Sequence, residues 1–210
     1  MKSFITALLL LASSVAIAEP QAGFEYQQTQ QVIPTDNPAK IEVTELFWYG
    51  CPHCFELEPH LAVWVKKLPQ DVVFKRVPGI PRPDWAPGAK AYYAMEALGV
   101  LDKLHAPFFT AIHKQKAVKA NDEAGIIDWI TKQSGMDRKK VSDAYNSFSV
   151  NTKNMRAMQV FRASGATGVP ALIIDGKYVS SISMAGGTEE LLKVADQLIA
   201  KARAEKTGKR

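Results

Sequence analysis

Between Ile41 and Val77 the hydrophobic period changes twice, and this limits the folds open to the chain. Ile41 to Tyr49 alternates, with Ile41, Val43, Glu45, Phe47 and Tyr49 on one face, which is the two-residue period of a strand. Gly50 supplies a turn. From Cys51 to Leu68 the apolar residues fall at Leu57, Leu61, Trp64, Val65 and Leu68, a helical spacing, and Pro52 sits at the first helical position, where its missing N–H leaves no bond unmade. Pro59 is expected to kink this helix. Asp71 to Val77 reads as a strand again. A strand, helix, strand run within one sheet makes the two strands parallel with a right-handed crossover, so the fold class is α/β.

From Pro81 to about Asn151 the period is helical throughout. Candidate helices run from Gly88 to Leu98, from Leu101 to His113 with an interruption at Pro107, from Asp122 to Ser134 with Asn121 as cap, and from Arg138 to Ser147. A further helix is expected from about Thr152 to Ser164. Pro170 to Ile174 and Lys177 to Ile182 then flank Asp175-Gly176, the signature of a two-residue hairpin. Thr188 is a good cap for a closing helix from Glu189 to Ala204. The lead-in before Lys40 is extended, with one short strand near Phe24 to Tyr26. The expected organisation is one domain made of residues 19–80 and 152–210, with an all-helical domain, 81–151, inserted in it.

Residues 1–18 read as a cleaved signal peptide: Lys2, an apolar run through Leu8 to Leu11, and Ala16-Ile17-Ala18 as the cleavage site. The apolar stretch falls short of the ~20 residues that span a bilayer. Export places the mature chain, starting at Glu19, in a compartment where disulfides can persist. The net charge of +5 does not indicate nucleic acid. Without Lys2 and the ten residues from Lys201 to Arg210, basic and acidic residues balance, whereas a phosphate-binding face needs clustered cations within the fold.

The two cysteines, Cys51 and Cys54, stand two residues apart where the strand turns into the helix. A helix N-terminus offers unpaired N–H groups and about half a positive charge, which stabilises a thiolate at Cys51, and Cys54 one turn on is near enough to bridge to it. His53 adds a ring able to donate a hydrogen bond or carry charge. Two readings compete. Half of a zinc site would need further ligands, and His60, His105 and His113 are scattered and read as ordinary surface or helix residues. A purely structural disulfide would close too small a loop to stabilise much.

Cys51-Pro52-His53-Cys54 on a strand-to-helix turn, the helical insertion, and Gly168-Val169-Pro170 opening a hairpin together resemble the DsbA family of periplasmic thiol:disulfide interchange proteins. The resemblance covers essentially the whole mature chain. It implies a thioredoxin fold with an inserted all-helical domain, and an enzyme that oxidises thiols of newly exported proteins. It also implies reoxidation by the membrane protein DsbB, which passes electrons to quinone, and no cofactor or metal in the protein itself. By resemblance Cys51 is the nucleophile, Cys54 its buried partner and Pro170 a cis proline facing the pair, with Val169 presenting its backbone to substrate. A disulfide isomerase or reductase of the same fold, or a non-catalytic peptide-binding chaperone, would use the same groove. The short lead-in has room for neither a dimerisation domain nor a second Cys-x-x-Cys, and a monomer is expected.

Glu45 shares its strand face with Ile41, Val43 and Phe47, where a carboxylate needs a partner or a function. The family keeps an acidic residue six positions before the first cysteine, and that resemblance implies that Glu45 assists proton transfer at the buried thiol. The competing reading pairs Glu45 with Lys75 of the adjacent strand, or places it in a water-filled pocket, without a catalytic part.

Overall fold

The computed structural model describes residues 19–208, so the signal peptide expected over 1–18 lies outside the described residues. The parallel pair is present: β2 (Ile41–Phe47) and β3 (Val72–Pro78) run side by side, joined by helix α1 (Pro52–Val65). β4 (Ala171–Ile174) and β5 (Tyr178–Ser181) form the hairpin, and β4 lies antiparallel against the other edge of β2. Asp175 and Gly176 adopt φ of 51° and 67°, the left-handed pair that an Asp-Gly hairpin turn requires. A two-residue strand, β1 (Gln27–Gln28), pairs with β5, giving the order β1-β5-β4-β2-β3. It begins later than the sequence suggests because Gln21 to Tyr26 close a turn, with Phe24 and Glu25 N–H donating to the Gln21 carbonyl and Gly23 N–H to that of Tyr26, and pairing starts beyond it.

Between β3 and β4 the chain is helical: a short 3-10 turn (Pro83–Trp85), α2 (Ala86–Ala97), α3 (Leu101–His113), α4 (Glu123–Ser134), α5 (Arg138–Tyr145) and α6 (Phe148–Ser164). α3 runs through Pro107 without a break. Leu104, Phe108 and Phe109 around it are buried, and that packing outweighs one missing backbone bond. α4 is capped by Asp122 rather than Asn121, its Oδ1 accepting from Gly125 N–H at 3.1 Å. α6 starts at Phe148 rather than near Thr152 because Ser147 Oγ accepts from Val150 N–H. A single turn, α7 (Ile182–Ala185), and α8 (Thr188–Lys206) close the chain; Gly187, not Thr188, stands at the α8 cap position.

Two apolar clusters sandwich the sheet. Ile41 and Val43 pack with Leu57 and Leu61 of α1 and with Leu191, Val194 and Leu198 of α8. Leu46, Phe47 and Tyr49 pack with Phe108, Phe109 and Ile126 of the inserted helices. The C-terminal end of β2 is therefore where sheet, crossover helix and insertion meet, and Cys51 follows directly.

Candidate active site

Trp48 to Gly50 turn the chain so that Cys51 becomes the N-cap of α1, with extended backbone (φ −86°, ψ 118°). Its N–H donates to the Trp48 carbonyl at 2.9 Å and its carbonyl accepts from Phe55 N–H at 3.2 Å. The Trp48 ring stacks on Trp85 from the insertion, 4.0 Å between centres and 11° between planes. Gly50 is needed for this, because a Cβ there would occupy the space of the Trp48 ring.

Both cysteines are free thiols; Cys54 is fully enclosed and Cys51 is 9% exposed. The Cys54 thiol, donating to the Cys51 sulfur, does most to pull Cys51 down to about 6, helped by the backbone N–H groups of Cys54 and His53 and by the His53 charge, against the opposing effect of burial. Burial, and then the hydrogen bond it gives to Cys51, push the Cys54 thiol well above its usual value. A neutral Cys51 thiol donates to the Val169 carbonyl at 3.4 Å. The Val169–Pro170 peptide is cis. Pro52 and His53 lie exposed on the first turn of α1, His53 Nδ1 3.1 Å from Glu56 Oε2. Phe24, His53, Val169, Pro170, Ile182 and Met184 line a groove of about 490 Å³ beside the pair.

Glu45 is completely buried, and its field reaches both cysteine sulfurs. The parallel register sets Arg76, not Lys75, opposite it. The competing reading that pairs Glu45 with Lys75 is thus corrected: Lys75 falls on the other face, 2.8 Å from Glu42 Oε1 and 3.0 Å from Asp36 Oδ2. Arg76 Nε lies 2.9 Å from Glu45 Oε2, but the guanidinium N–H groups point at Glu58, Nε to Oε1 at 3.2 Å and Nη2 to Oε2 at 3.1 Å. Neither Glu45 oxygen accepts a hydrogen bond. Burial, reinforced by the adjacent Glu58 charge and only partly offset by Arg76, pushes Glu45 up to about 8. Glu58 moves the other way: burial would raise it, but the hydrogen bond from His105 and the charge of Arg76 hold it below the usual carboxylate range.

His60 is exposed on α1, as the sequence suggests, but His105 and His113 are not ordinary surface residues. His105 is 8% exposed, with Nε2 3.1 Å from Glu58 Oε1 and Nδ1 2.7 Å from Tyr49 Oη. His113 Nε2 donates to the Tyr49 carbonyl at 2.7 Å, and its ring stacks on Phe55, 5.1 Å and 10°. Together they grip Tyr49, two residues before Cys51. Their sequence signal is the four-residue spacing of His105, Phe109 and His113, which puts both rings on the packed side of α3.

Residues 78–198 match a family model described as a DSBA-like thioredoxin domain. The chain is 40% identical over 204 residues to the thiol:disulfide interchange protein DsbA of Pseudomonas aeruginosa, covering 95% of this chain and 96% of that one. It is 38% identical over 213 residues to the DsbA of Burkholderia cepacia, covering 98% and 100%. Among solved structures it resembles Pseudomonas aeruginosa DsbA with a TM-score of 0.81 at 40% identity, covering 88% of this chain and 95% of that one. It also resembles the oxidoreductase DsbA of Xylella fastidiosa, 0.81 at 26% identity, covering 89% and 100%. These neighbours share its thioredoxin-like sheet and helical insertion.

Proposed function

The chain belongs to the DsbA family of thiol:disulfide interchange proteins, and on that premise we propose that it oxidises newly exported proteins by donating a Cys51–Cys54 disulfide. A substrate thiolate attacks the Cys51 sulfur, the Cys51–Cys54 bond breaks, and Cys54 leaves with the electron pair and takes up a proton. A second substrate thiolate then attacks the substrate sulfur of the mixed disulfide, forming the substrate disulfide and releasing Cys51 as a thiolate. Two substrate thiols are oxidised and one enzyme disulfide is reduced.

The observation that carries this reading is the opposite displacement of the two thiols, Cys51 down to about 6 and Cys54 well up. The Cys51 sulfur is released as a stable thiolate, which drives substrate oxidation, while that of the fully enclosed Cys54 needs a proton as it leaves. Glu45, protonated at neutral pH and acting on the Cys54 sulfur, is the proton source. Pro52 and His53 shape the first turn of α1 and favour the Cys51 thiolate. Val169 and Pro170 present the groove edge to an extended substrate segment, whose backbone pairs there while its apolar side chains fill the groove. Residues 19–80 and 152–210 form the redox domain, and 81–151 brace it. Among the described residues no helix is long and apolar enough to cross a membrane. The remaining reading is of a monomeric periplasmic protein reoxidised by DsbB without a cofactor of its own.

Alkylation of the reduced protein across pH 4 to 9 tests the assignment: Cys51 should react with a midpoint near 6 while Cys54 stays silent. Cys51→Ser should abolish oxidation of a reduced peptide, and Cys54→Ser should accumulate mixed disulfides. Equal alkylation of both cysteines at pH 5 would overturn the assignment. Equilibration with glutathione then separates an oxidant from a reductase of the same fold.

A further inference from the structure

Glu45 and Glu58 surround one guanidinium, so the buried cluster carries one negative charge too many and a single shared proton balances it. Arg76 touches both carboxyls. Only Glu58 has a second donor, His105, which α3 of the insertion delivers to it. A ring nitrogen that faces a carboxylate donates to it, so neutral His105 carries its hydrogen on Nε2 and accepts the Tyr49 O–H at Nδ1. Burial keeps both the imidazole uncharged and the Tyr49 phenol protonated, as this tautomer requires. The remaining charged or titratable groups acting on the ring are Arg76 from β3, Tyr92 from α2 and Asp102 from α3 itself. Glu45 faces Glu58, Arg76, the two cysteines, Tyr49 and Tyr92, and receives a hydrogen bond from none of them.

We propose that His105 is a positioning residue for the exchange reaction: by donating to Glu58 alone, it keeps the shared proton of the carboxyl pair on Glu45, the carboxyl whose field reaches the Cys54 sulfur. Without that donor Glu58 competes for the proton, and Cys54 loses its source. The functional part of this inference rests on the proposed role of Glu45; the location of the proton does not.

The experiment follows the 13C carboxyl shifts of glutamate in the reduced full chain across pH 4 to 9, with signals assigned through Glu45→Gln and Glu58→Gln. In the parent, the Glu45 signal is expected to be that of a protonated acid at pH 6 and the Glu58 signal that of a carboxylate. A hydrogen bond to a charged group shifts such an equilibrium by about tenfold or more, so His105→Phe should lower the Glu45 midpoint by about one pH unit and raise that of Glu58. His105→Gln, which keeps an N–H donor over Glu58, should restore much of the parent pattern. His105→Leu repeats the test if the Phe variant does not fold, with near-ultraviolet circular dichroism as the fold check. Unmoved carboxyl signals in a folded donor-less variant overturn the proposal, as does a parent Glu45 already ionised at pH 6. If the signals move as expected but Glu45→Gln oxidises peptide at the parent rate, the proton-source reading of Glu45 fails and the placement of the proton by His105 stands.

Discussion

Raising the pH from 5 to 9 should reverse which redox form of this protein is the more stable. Breaking the Cys51–Cys54 bond restores to the unfolded chain the freedom of a four-residue loop, a cost to the reduced fold of about 1.9 kcal/mol on the chain-entropy relation. Against it stands the Cys51 thiolate, brought down from an ordinary thiol value of 9.0 to about 6. At 1.36 kcal/mol per pH unit the ionised thiol stabilises the reduced fold by about 3.7 kcal/mol at pH 9, about 1.4 at pH 7 and almost nothing at pH 5. These are upper values, because Cys51 borders the groove and solvent screens part of the interaction. The sign is that of a depressed acid: the stabilisation is present above the unfolded value and is lost as pH falls through the folded one. The oxidised form should therefore lead by nearly the full loop term at pH 5, the two should be close at pH 7, and the reduced form should lead from about pH 8 upward. Cys54, pushed up by burial, opposes this only slightly, and only near pH 9.

Paired denaturant melts of the oxidised chain and of the chain held reduced, at pH 5, 7 and 9 with thiol content checked at each, measure the difference directly. A difference that stays flat across that range would refute the reasoning, since it would mean that Cys51 is not activated by the fold. The value at pH 7 is a sharper test. A thiol at about 3.5, near the low end for activated cysteines, would put the reduced form ahead there by about 3 kcal/mol, whereas a thiol at about 6 leaves the two forms nearly level. A large lead at pH 7 would mean that Cys51 receives stronger donors than the Cys54 thiol and two backbone N–H groups.

Arg76→Met removes the one cation between Glu45 and Glu58 and should cost about 3–5 kcal/mol at pH 7. Because the bared charge is a carboxylate, the penalty should shrink as pH falls toward 4 and Glu58 takes a proton; melts showing a pH-independent loss would contradict the buried network. Gly176→Ala places a Cβ against the Ile33 carbonyl oxygen at a backbone φ of 67° and should cost on the order of 1–3 kcal/mol, read as a lowered Tm with the redox behaviour of Cys51 unchanged.

What was legible in the sequence and what was not divide along a physical line. The parallel pair, the Asp-Gly hairpin and Cys51 at a helix N-terminus are all consequences of local period and local backbone chemistry, and each is present. Glu45 was legible as an anomaly, a carboxylate on a buried strand face, and even the strand that would answer it was legible. Its partner was not, because a slip of one residue in register exchanges every side chain between the two faces of the sheet, and no local pattern distinguishes Lys75 from Arg76. His105 failed for a related reason. Its neighbours along α3 are local information, but Glu58 lies in α1 and Tyr49 at the end of β2, so its two hydrogen bonds exist only where three separately folded elements meet. The proposed nucleophile can thus be found from a four-residue pattern, whereas the groups proposed to manage the proton of its buried partner depend on how an inserted helix docks onto the sheet. It follows that variants loosening α3 against β2 should alter proton handling at Cys54 before they alter the thiolate at Cys51, whose principal donors are Cys54 and the first turn of its own helix.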